Sequence, residues 1–98
     1  RTLEYYEVIN KTVIFHLESG KALESMGNMA EVSDKLLEYD AFIRPHRSYL
    51  VNMDYIESIS YRAIIMTCLA EIPIPRGKYE EVKNAFLRHA FQGMEGES

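Results

Sequence analysis

The alternation of apolar and polar residues predicts that the N-terminal part of the chain is antiparallel β-sheet. Aromatic and β-branched residues are enriched from Leu3 to Val8 and from Thr12 to Leu17. The polar pair Asn10-Lys11 between these segments predicts a hairpin with a short loop. A second turn at Ser19-Gly20-Lys21 precedes a third predicted strand from Ala22 to Met26.

The apolar period changes after the third strand and predicts a short internal helix. Apolar residues between Met29 and Leu37 recur at i, i+3, i+7 and i+8, which places them on one stripe of an amphipathic helix. Asn28 suits the N-cap, and Glu31 follows it at the spacing of a capping box. We expect this helix to end near residues 38–40.

Strand character returns after this helix and continues in short segments. The apolar anchors of these segments are Phe42-Ile43, Tyr49-Leu50-Val51, Ile56 and Ile59, and Ala63 to Met66. In the extended tract Ile72–Pro75, two prolines remove backbone donors, which favours a sheet edge or a strand end. Residues 78–91 have helical spacing, with Tyr79, Val82 and Phe86 on one face. The expected fold is mainly β over residues 1–91, with one short internal helix, a C-terminal helix and a flexible Gly- and Glu-rich tail at 92–98.

Composition limits the function without deciding it. With 98 residues, 47% of them hydrophobic and 27% charged, the chain has the size and composition of one soluble domain. It contains no apolar run near the roughly 20 residues needed to span a bilayer. A single cysteine cannot form an intrachain disulfide, which fits a reducing cytoplasm. The net charge of −4 argues against a non-specific polyphosphate binder, but local basic clusters can still act because salt screens distant charges.

The residues that most often carry catalysis or bind metals do not form a recognisable site. Cys68 lies in the apolar stretch Met66–Leu69 with no histidine at a catalytic spacing, which favours a structural thiol. The histidines His16, His46 and His89 are scattered, and His16 is expected at a partly exposed strand position. We therefore expect no enzymatic activity, no metal and no cofactor.

Two stiffened segments end in basic side chains. Arg44-Pro45-His46-Arg47-Ser48 combines a proline, which restricts its own backbone and that of Arg44, with donors suited to DNA. Ile72–Lys78 likewise follows two prolines with Arg76, and Gly77 permits a sharp turn. Each segment alone is more often a polar turn before a buried element. Together with the polar loop at Asn10-Lys11, the two make a DNA-contacting surface a serious alternative.

The order of these motifs resembles that of the LytTR DNA-binding domain of bacterial response regulators. Leu3–Glu7 is similar to the family's first "I-x-Y-I-E" strand, and Asn28–Leu37 to its "L-x-E-L-x-x-x-L" helix. The run from Phe42 to Ile59 is close to the family signature without a gap, and Ile72–Arg76 stands where the family has "I-P-V-S-R". The resemblance covers about residues 3 to 86.

This resemblance implies an elongated fold of antiparallel β-sheets, whose loops enter successive major grooves of double-stranded DNA. The residues then expected to read bases are Asn10, Lys11, Arg47 and Arg76. The residues expected to contact phosphates are Arg44, His46, Ser48 and Lys78. Tyr49–Val51 would build the sheet, and Asn52 would form a turn by bonding backbone. The resemblance also implies direct-repeat promoter sites and a dimer formed through an upstream receiver or other domain.

Departures from the family pattern, together with the acidic balance of the chain, keep a second interpretation open. The family usually has one or two further strands before the segment at Leu3, so we expect either that these N-terminal strands are missing here or that the sheet is completed differently. An open edge at this position would be able to pair with another chain. The turn Cys68-Leu69-Ala70 is unusually apolar and is expected to pack on a partner. The first loop is short, and Pro75 replaces the usual Ser. The alternative function is thus a protein-interaction β module that pairs through an open edge.

Overall fold

A computed structural model describes residues 3–26 and 35–95, and it has the mainly antiparallel β fold that the sequence predicts. The described elements are β1 Leu3–Ile9, β2 Thr12–Leu17, β3 Ala22–Met26, β4 Phe42–His46, β5 Tyr49–Asn52, a 3-10 turn Met53–Tyr55, β6 Ile56–Ile59, β7 Ala63–Met66, β8 Glu71–Pro73 and the helix α1 Tyr79–Glu95. The predicted internal helix lies largely outside the described residues, where only Lys35 and Leu36 are seen to be helical. The described part measures 41 × 31 × 25 Å.

Strand β1 occupies the centre of a five-stranded sheet whose order is β3-β2-β1-β5-β4. It pairs antiparallel with β2 through partners such as Val8 and Val13, and with β5 through partners such as Tyr6 and Leu50. The first strand therefore has no open edge, because β5 returns from 40 residues downstream and pairs with it; of the sequence-based alternatives, this agrees with a sheet that is completed differently. The edges of this sheet are β3 and β4.

The remaining strands form a second, three-stranded sheet in the order β6-β7-β8. The proline tract supplies β8, an edge strand, as the missing donors of Pro73 and Pro75 require. After β8 the backbone N–H of Ile74 donates to the carbonyl of Arg62 at 2.8 Å. This bond holds the segment before α1 against the turn between β6 and β7.

The two faces of the five-stranded sheet cover separate apolar clusters, since neighbouring strand residues point to opposite sides. Tyr5 and Val51 face the second sheet and α1, where they pack with Ile64, Ile72 and Val82. The opposite face carries Tyr6, Val13 and Leu50, with Leu36 and Phe42 partly buried against them. The predicted placement of Leu50 and Val51 in the sheet interior is confirmed, as both are fully buried.

Tyr6 has a buried hydroxyl that finds no hydrogen-bond partner within the part of the chain that the structure describes. Burying an unpaired hydroxyl costs about 1–3 kcal/mol. Tyr6→Phe removes only this oxygen, so we expect the free energy of unfolding to stay the same or to rise by up to about 1 kcal/mol. Urea unfolding monitored by circular dichroism measures the change. A marked loss of stability would show that the hydroxyl has a stabilising partner.

The turn between β7 and β8 places Cys68 at the surface. The backbone bonds from Leu69 to Met66 and from Met66 to Ala70 close the turn, so its tip projects into solvent. Leu69 is 79% exposed and adopts a positive φ of 74°. The expectation of a structural thiol in an apolar environment is therefore wrong, because the apolar residues at 68–69 form the tip of a turn instead of a strand interior.

Asn52, at the end of β5, bonds the start of β1 and the 3-10 turn that follows β5. Its side chain is buried, its amide donates to the carbonyl of Leu3 at 3.0 Å, and its oxygen accepts from the backbone N–H of Asp54 at 3.0 Å. The second bond caps the 3-10 turn that leads into β6. The predicted role of Asn52, a turn-forming side chain that bonds backbone, is confirmed.

Candidate nucleic-acid interface

Asn10 and Lys11 form the tight turn between β1 and β2. Both have left-handed backbones, with φ of 49° and 68°, as the central residues of a type I′ hairpin turn require. Asn tolerates this conformation well, whereas a lysine in it is uncommon. Both residues are exposed, so their side chains extend from a turn of fixed geometry.

Arg47 and Ser48 form the turn between β4 and β5. His46 and Tyr49 pair across the turn, and the carbonyl of Ser48 accepts from the backbone N–H of Val8 at 2.9 Å. Ser48 is half-buried, whereas Arg47 is exposed. The sheet therefore fixes the backbone of this turn and leaves the guanidinium of Arg47 in solvent.

The side chains of Arg44 and His46 stabilise this turn from within. Arg44 donates through Nη2 to the carbonyl of Arg47 at 3.0 Å, which ties the two arginines together. The backbone N–H of Ser48 donates to Nδ1 of His46 at 3.0 Å, while the imidazole packs edge-on against the ring of Tyr49. In the neutral imidazole, the acceptor role of Nδ1 places the proton on Nε2.

The two turns lie at the same end of the five-stranded sheet. Glu7 pairs with Tyr49, so the last residues of β1 run beside the first residues of β5. Because the Asn10-Lys11 turn follows β1 and the Arg47-Ser48 turn precedes β5, the two turns project from neighbouring strands.

Arg76 and Lys78 lie in the sharp bend before α1. Gly77 has a φ of 88°, a backbone conformation that residues other than glycine rarely adopt. The N–H of Lys78 donates to the carbonyl of Pro75 at 3.1 Å. Arg76 and Lys78 are both exposed.

The packing of α1 places this bend on the side of the molecule toward which β4 runs. A crevice between β4 and α1 is lined by Arg44 and Pro45 on the strand and by Glu81 and Val82 on the helix. Further along, Ile43 faces Ala85 and His89, so β4 and α1 run in opposite directions. The end of β4, which precedes Arg47, consequently points toward the start of α1, which follows Arg76.

The carboxylate of Glu7, near the Asn10-Lys11 and Arg47-Ser48 turns, has a partner inside the protein. The carboxylate of Glu7 lies 2.7 Å from Nε2 of His16, a partly exposed strand residue as predicted, and the His16 ring stacks on that of Tyr5 at 4.3 Å. Burial raises the pKa of Tyr5 to about 12, with the negative charge of Glu7 adding to the effect. Burial, and then Glu7, also raises the pKa of Tyr49. Both phenols therefore stay neutral near pH 7.

The turn between β6 and β7 adds two exposed residues that the sequence analysis did not single out. Tyr61 and Arg62 line an open cleft together with Ile74, Arg76 and Gly77. No local pattern identifies them, because Arg62 lies near Arg76 only as a result of the pairing of β6, β7 and β8.

Within residues 3–26 and 35–95 no group of three His, Cys, Asp or Glu side chains could hold a metal, and no helix is long and apolar enough to cross a membrane.

Residues 1–87 match the family model of the LytTr DNA-binding domain. The chain therefore belongs to the LytTR family, a class of DNA-binding domains and not of enzymes. It is 42% identical over 71 residues to the sensory transduction protein LytT of Oceanobacillus iheyensis, an alignment that covers 66% of this chain and 28% of that protein. The fold resembles the solved LytTr DNA-binding domain of a Bacillus cereus protein with a TM-score of 0.70 and 22% identity, covering 86% of this chain and 80% of the other.

Proposed function

We propose that this domain binds double-stranded DNA sequence-specifically to regulate transcription, as the cytoplasmic output domain of a two-component response regulator. The observation that carries the proposal is the presence of three turns of fixed backbone geometry, each with an exposed polar or basic side chain. The bacterial relative described as a sensory transduction protein supports the response-regulator part. In such a protein an upstream domain would supply dimerisation, and each copy would occupy one of two direct repeats in a promoter.

Contact with two successive major grooves is what the family resemblance implies for these turns. We assign Arg47, with Asn10 and Lys11 beside it, to one groove, and Arg76 to the other.

The side chains around Arg47 and Arg76 suit contacts to the backbone between these grooves. Arginine reads guanine through two parallel hydrogen bonds, whereas the other donors suit phosphate oxygens. The N–H at Nε2 of His46 and the hydroxyl of Ser48 lie in the Arg47 turn, and the ammonium of Lys78 lies beside Arg76. Arg44 has one guanidinium nitrogen bonded to Arg47 and further N–H groups that can reach a phosphate.

Single arginine variants test this assignment. Using a duplex selected by the parent chain from a randomised pool, we expect Arg47→Ala and Arg76→Ala each to weaken binding by about 1–3 kcal/mol, or roughly 5- to 150-fold. Each variant should also relax the base preference at one position, as measured by fluorescence anisotropy on substituted duplexes. Lys78→Ala should weaken binding to all duplexes alike and reduce the salt slope by about 0.9.

Arg88→Ala is the matched control, because Arg88 is an exposed arginine near the middle of α1, away from the three turns. It should bind like the parent chain. If Arg47→Ala and Arg76→Ala also bind like the parent, the assignment of base-reading residues is wrong. If the parent selects no duplex at all, sequence-specific binding itself is excluded.

The protein-interaction alternative keeps one supporting observation. Pairing through an open edge at β1 loses its basis, since β1 has neighbours on both sides. The exposed turn with Cys68 and Leu69 still offers an apolar contact to a partner. Absent or salt-insensitive DNA binding in the titrations above would favour this alternative.

A further inference from the structure

The cleft between the β6–β7 turn and the bend before α1 has the chemistry of an anion site. Its described lining consists of Tyr61, Arg62, Ile74, Arg76 and Gly77, which includes two guanidinium groups and no carboxylate. Within the described residues, neither Arg62 nor Arg76 has a side-chain hydrogen bond or an ion pair. Two unpaired guanidinium groups on one concave surface attract an anion and suit the planar, bidentate recognition of phosphate oxygens.

The walls of this cleft are held in place before any ligand arrives. The N–H of Ile74 donates to the carbonyl of Arg62, which fixes one wall against the other at 2.8 Å. The turn itself is closed by the backbone N–H and the hydroxyl of Ser60, which donate to the carbonyl of Ala63 at 2.8 and 3.2 Å. The ring of Tyr61 contacts that of Tyr79, in the first turn of α1, at 5.4 Å between centroids. A preorganised site loses less conformational entropy on binding.

We propose that Arg62, supported by Tyr61, grips a phosphodiester of the DNA strand next to the base that Arg76 reads. The inference rests on the proposed function, and it adds a residue outside the motifs that indicated DNA binding. With Arg76 entering the groove from one wall of the cleft, the guanidinium of Arg62 on the other wall faces the adjoining backbone. Tyr61 is 66% exposed, and its hydroxyl adds a donor to the same phosphate. Arg62 thereby sets the depth and orientation at which Arg76 approaches its base.

The test compares Arg62→Ala with Arg76→Ala on the duplex selected by the parent chain and on a scrambled duplex. Loss of one phosphate contact should reduce the salt slope by about 0.9 and weaken binding about fivefold near 0.15 M salt, on both duplexes alike. Arg62→Lys keeps the charge and should recover the salt slope. Arg76→Ala should instead lose mainly the preference for the selected duplex. Arg88→Ala serves again as the unaffected arginine.

Three results would overturn the proposal. If Arg62→Ala matches the parent in affinity and salt slope on both duplexes, Arg62 does not contact DNA. A loss confined to one base position would make Arg62 a base reader instead of a phosphate contact. Binding of inorganic phosphate without DNA, abolished in Arg62→Ala while duplex binding is unchanged, would assign the cleft to a free anion. If the parent binds no duplex, both the proposed function and the phosphate contact of Arg62 are excluded. Each of the three results above excludes only the phosphate contact and is compatible with the proposed function.

Discussion

Asn52→Ala is expected to lower the free energy of unfolding by about 2–4 kcal/mol, because it removes two hydrogen bonds that a buried side chain makes to backbone groups. The carbonyl of Leu3 loses its donor and the N–H of Asp54 loses its acceptor, both at 3.0 Å in the parent chain. Asn52 is only 4% exposed, so water cannot readily replace these bonds. Urea unfolding at neutral pH, followed by circular dichroism, measures the loss.

The matched control is Asn84→Ala, which removes the same amide from an exposed position in α1. It should change the free energy of unfolding by no more than about 0.5 kcal/mol. Equal effects of the two substitutions would mean that the hydrogen bonds of Asn52 add no more to the free energy of unfolding than an exposed asparagine does. Asn52 connects the start of β1 to the end of β5, and the recognition turns lie at the other ends of those two strands. Its loss should therefore disturb DNA binding as well as stability.

The second large effect is expected from combining Arg47→Ala with Arg76→Ala. The two residues follow different sheets and share no side-chain partner in the described part of the chain, so their effects on binding should add to within about 0.5 kcal/mol. The double variant should then bind the selected duplex about 2–6 kcal/mol more weakly, a loss of roughly 30- to more than 10,000-fold. Fluorescence anisotropy at one fixed salt concentration compares the four proteins.

Additivity is informative because it separates two ways of using these arginines. If each reads its own groove, the losses sum. If the double variant binds no worse than the weaker single variant, the two arginines act as one unit, and the assignment to separate grooves is wrong. Unfolding curves for each variant ensure that the losses do not arise from unfolding, which two exposed side chains should leave unchanged.

Local patterns were sufficient for most of the elements. Period-two alternation located the hairpin of β1 and β2, and the spacing of prolines located β8 at an edge. Helical spacing of Tyr79, Val82 and Phe86 located α1, whose described backbone continues to Glu95, past the expected end of the domain at Phe91. These features depend on neighbours in sequence, so the sequence alone carries them.

Features that depend on long-range pairing were not predictable in this way. The partner of β1 across from β2 is β5, and only that pairing shows that the Asn10-Lys11 and Arg47-Ser48 turns project together. In the sequence, Arg62 lies in a polar turn with no distinguishing pattern. The register of β7 with β6 and β8 places it beside Arg76 in the structure. The apolar composition around Cys68 predicted a structural thiol, whereas the residue is exposed. At a hairpin tip the turn geometry, and not hydropathy, decides the exposure of a residue.

The acidic balance of the chain is compatible with a basic recognition surface because several acids of the described part lie beside basic or histidine side chains. Glu7 is paired with His16, and Asp54 lies 2.6 Å from Nε2 of His89, near the C-terminal half of α1. Glu80 pairs with Lys83 on the surface of α1. Net charge is therefore a poor guide to the partner of a small domain, whereas the location of its unpaired cations is informative.

The left-handed backbone of Lys11 costs the fold some stability. A left-handed conformation costs a residue with a Cβ about 1–2 kcal/mol, and glycine would adopt it without this cost. Selection for thermal stability alone would therefore favour glycine at position 11, at φ 68°. If Lys11 contacts DNA as proposed, its side chain gives the protein a reason to bear this cost. Among homologous domains, the residue at this turn should then vary with the DNA sequence that each one binds, and sequences with glycine there should rely on their other turns for specificity.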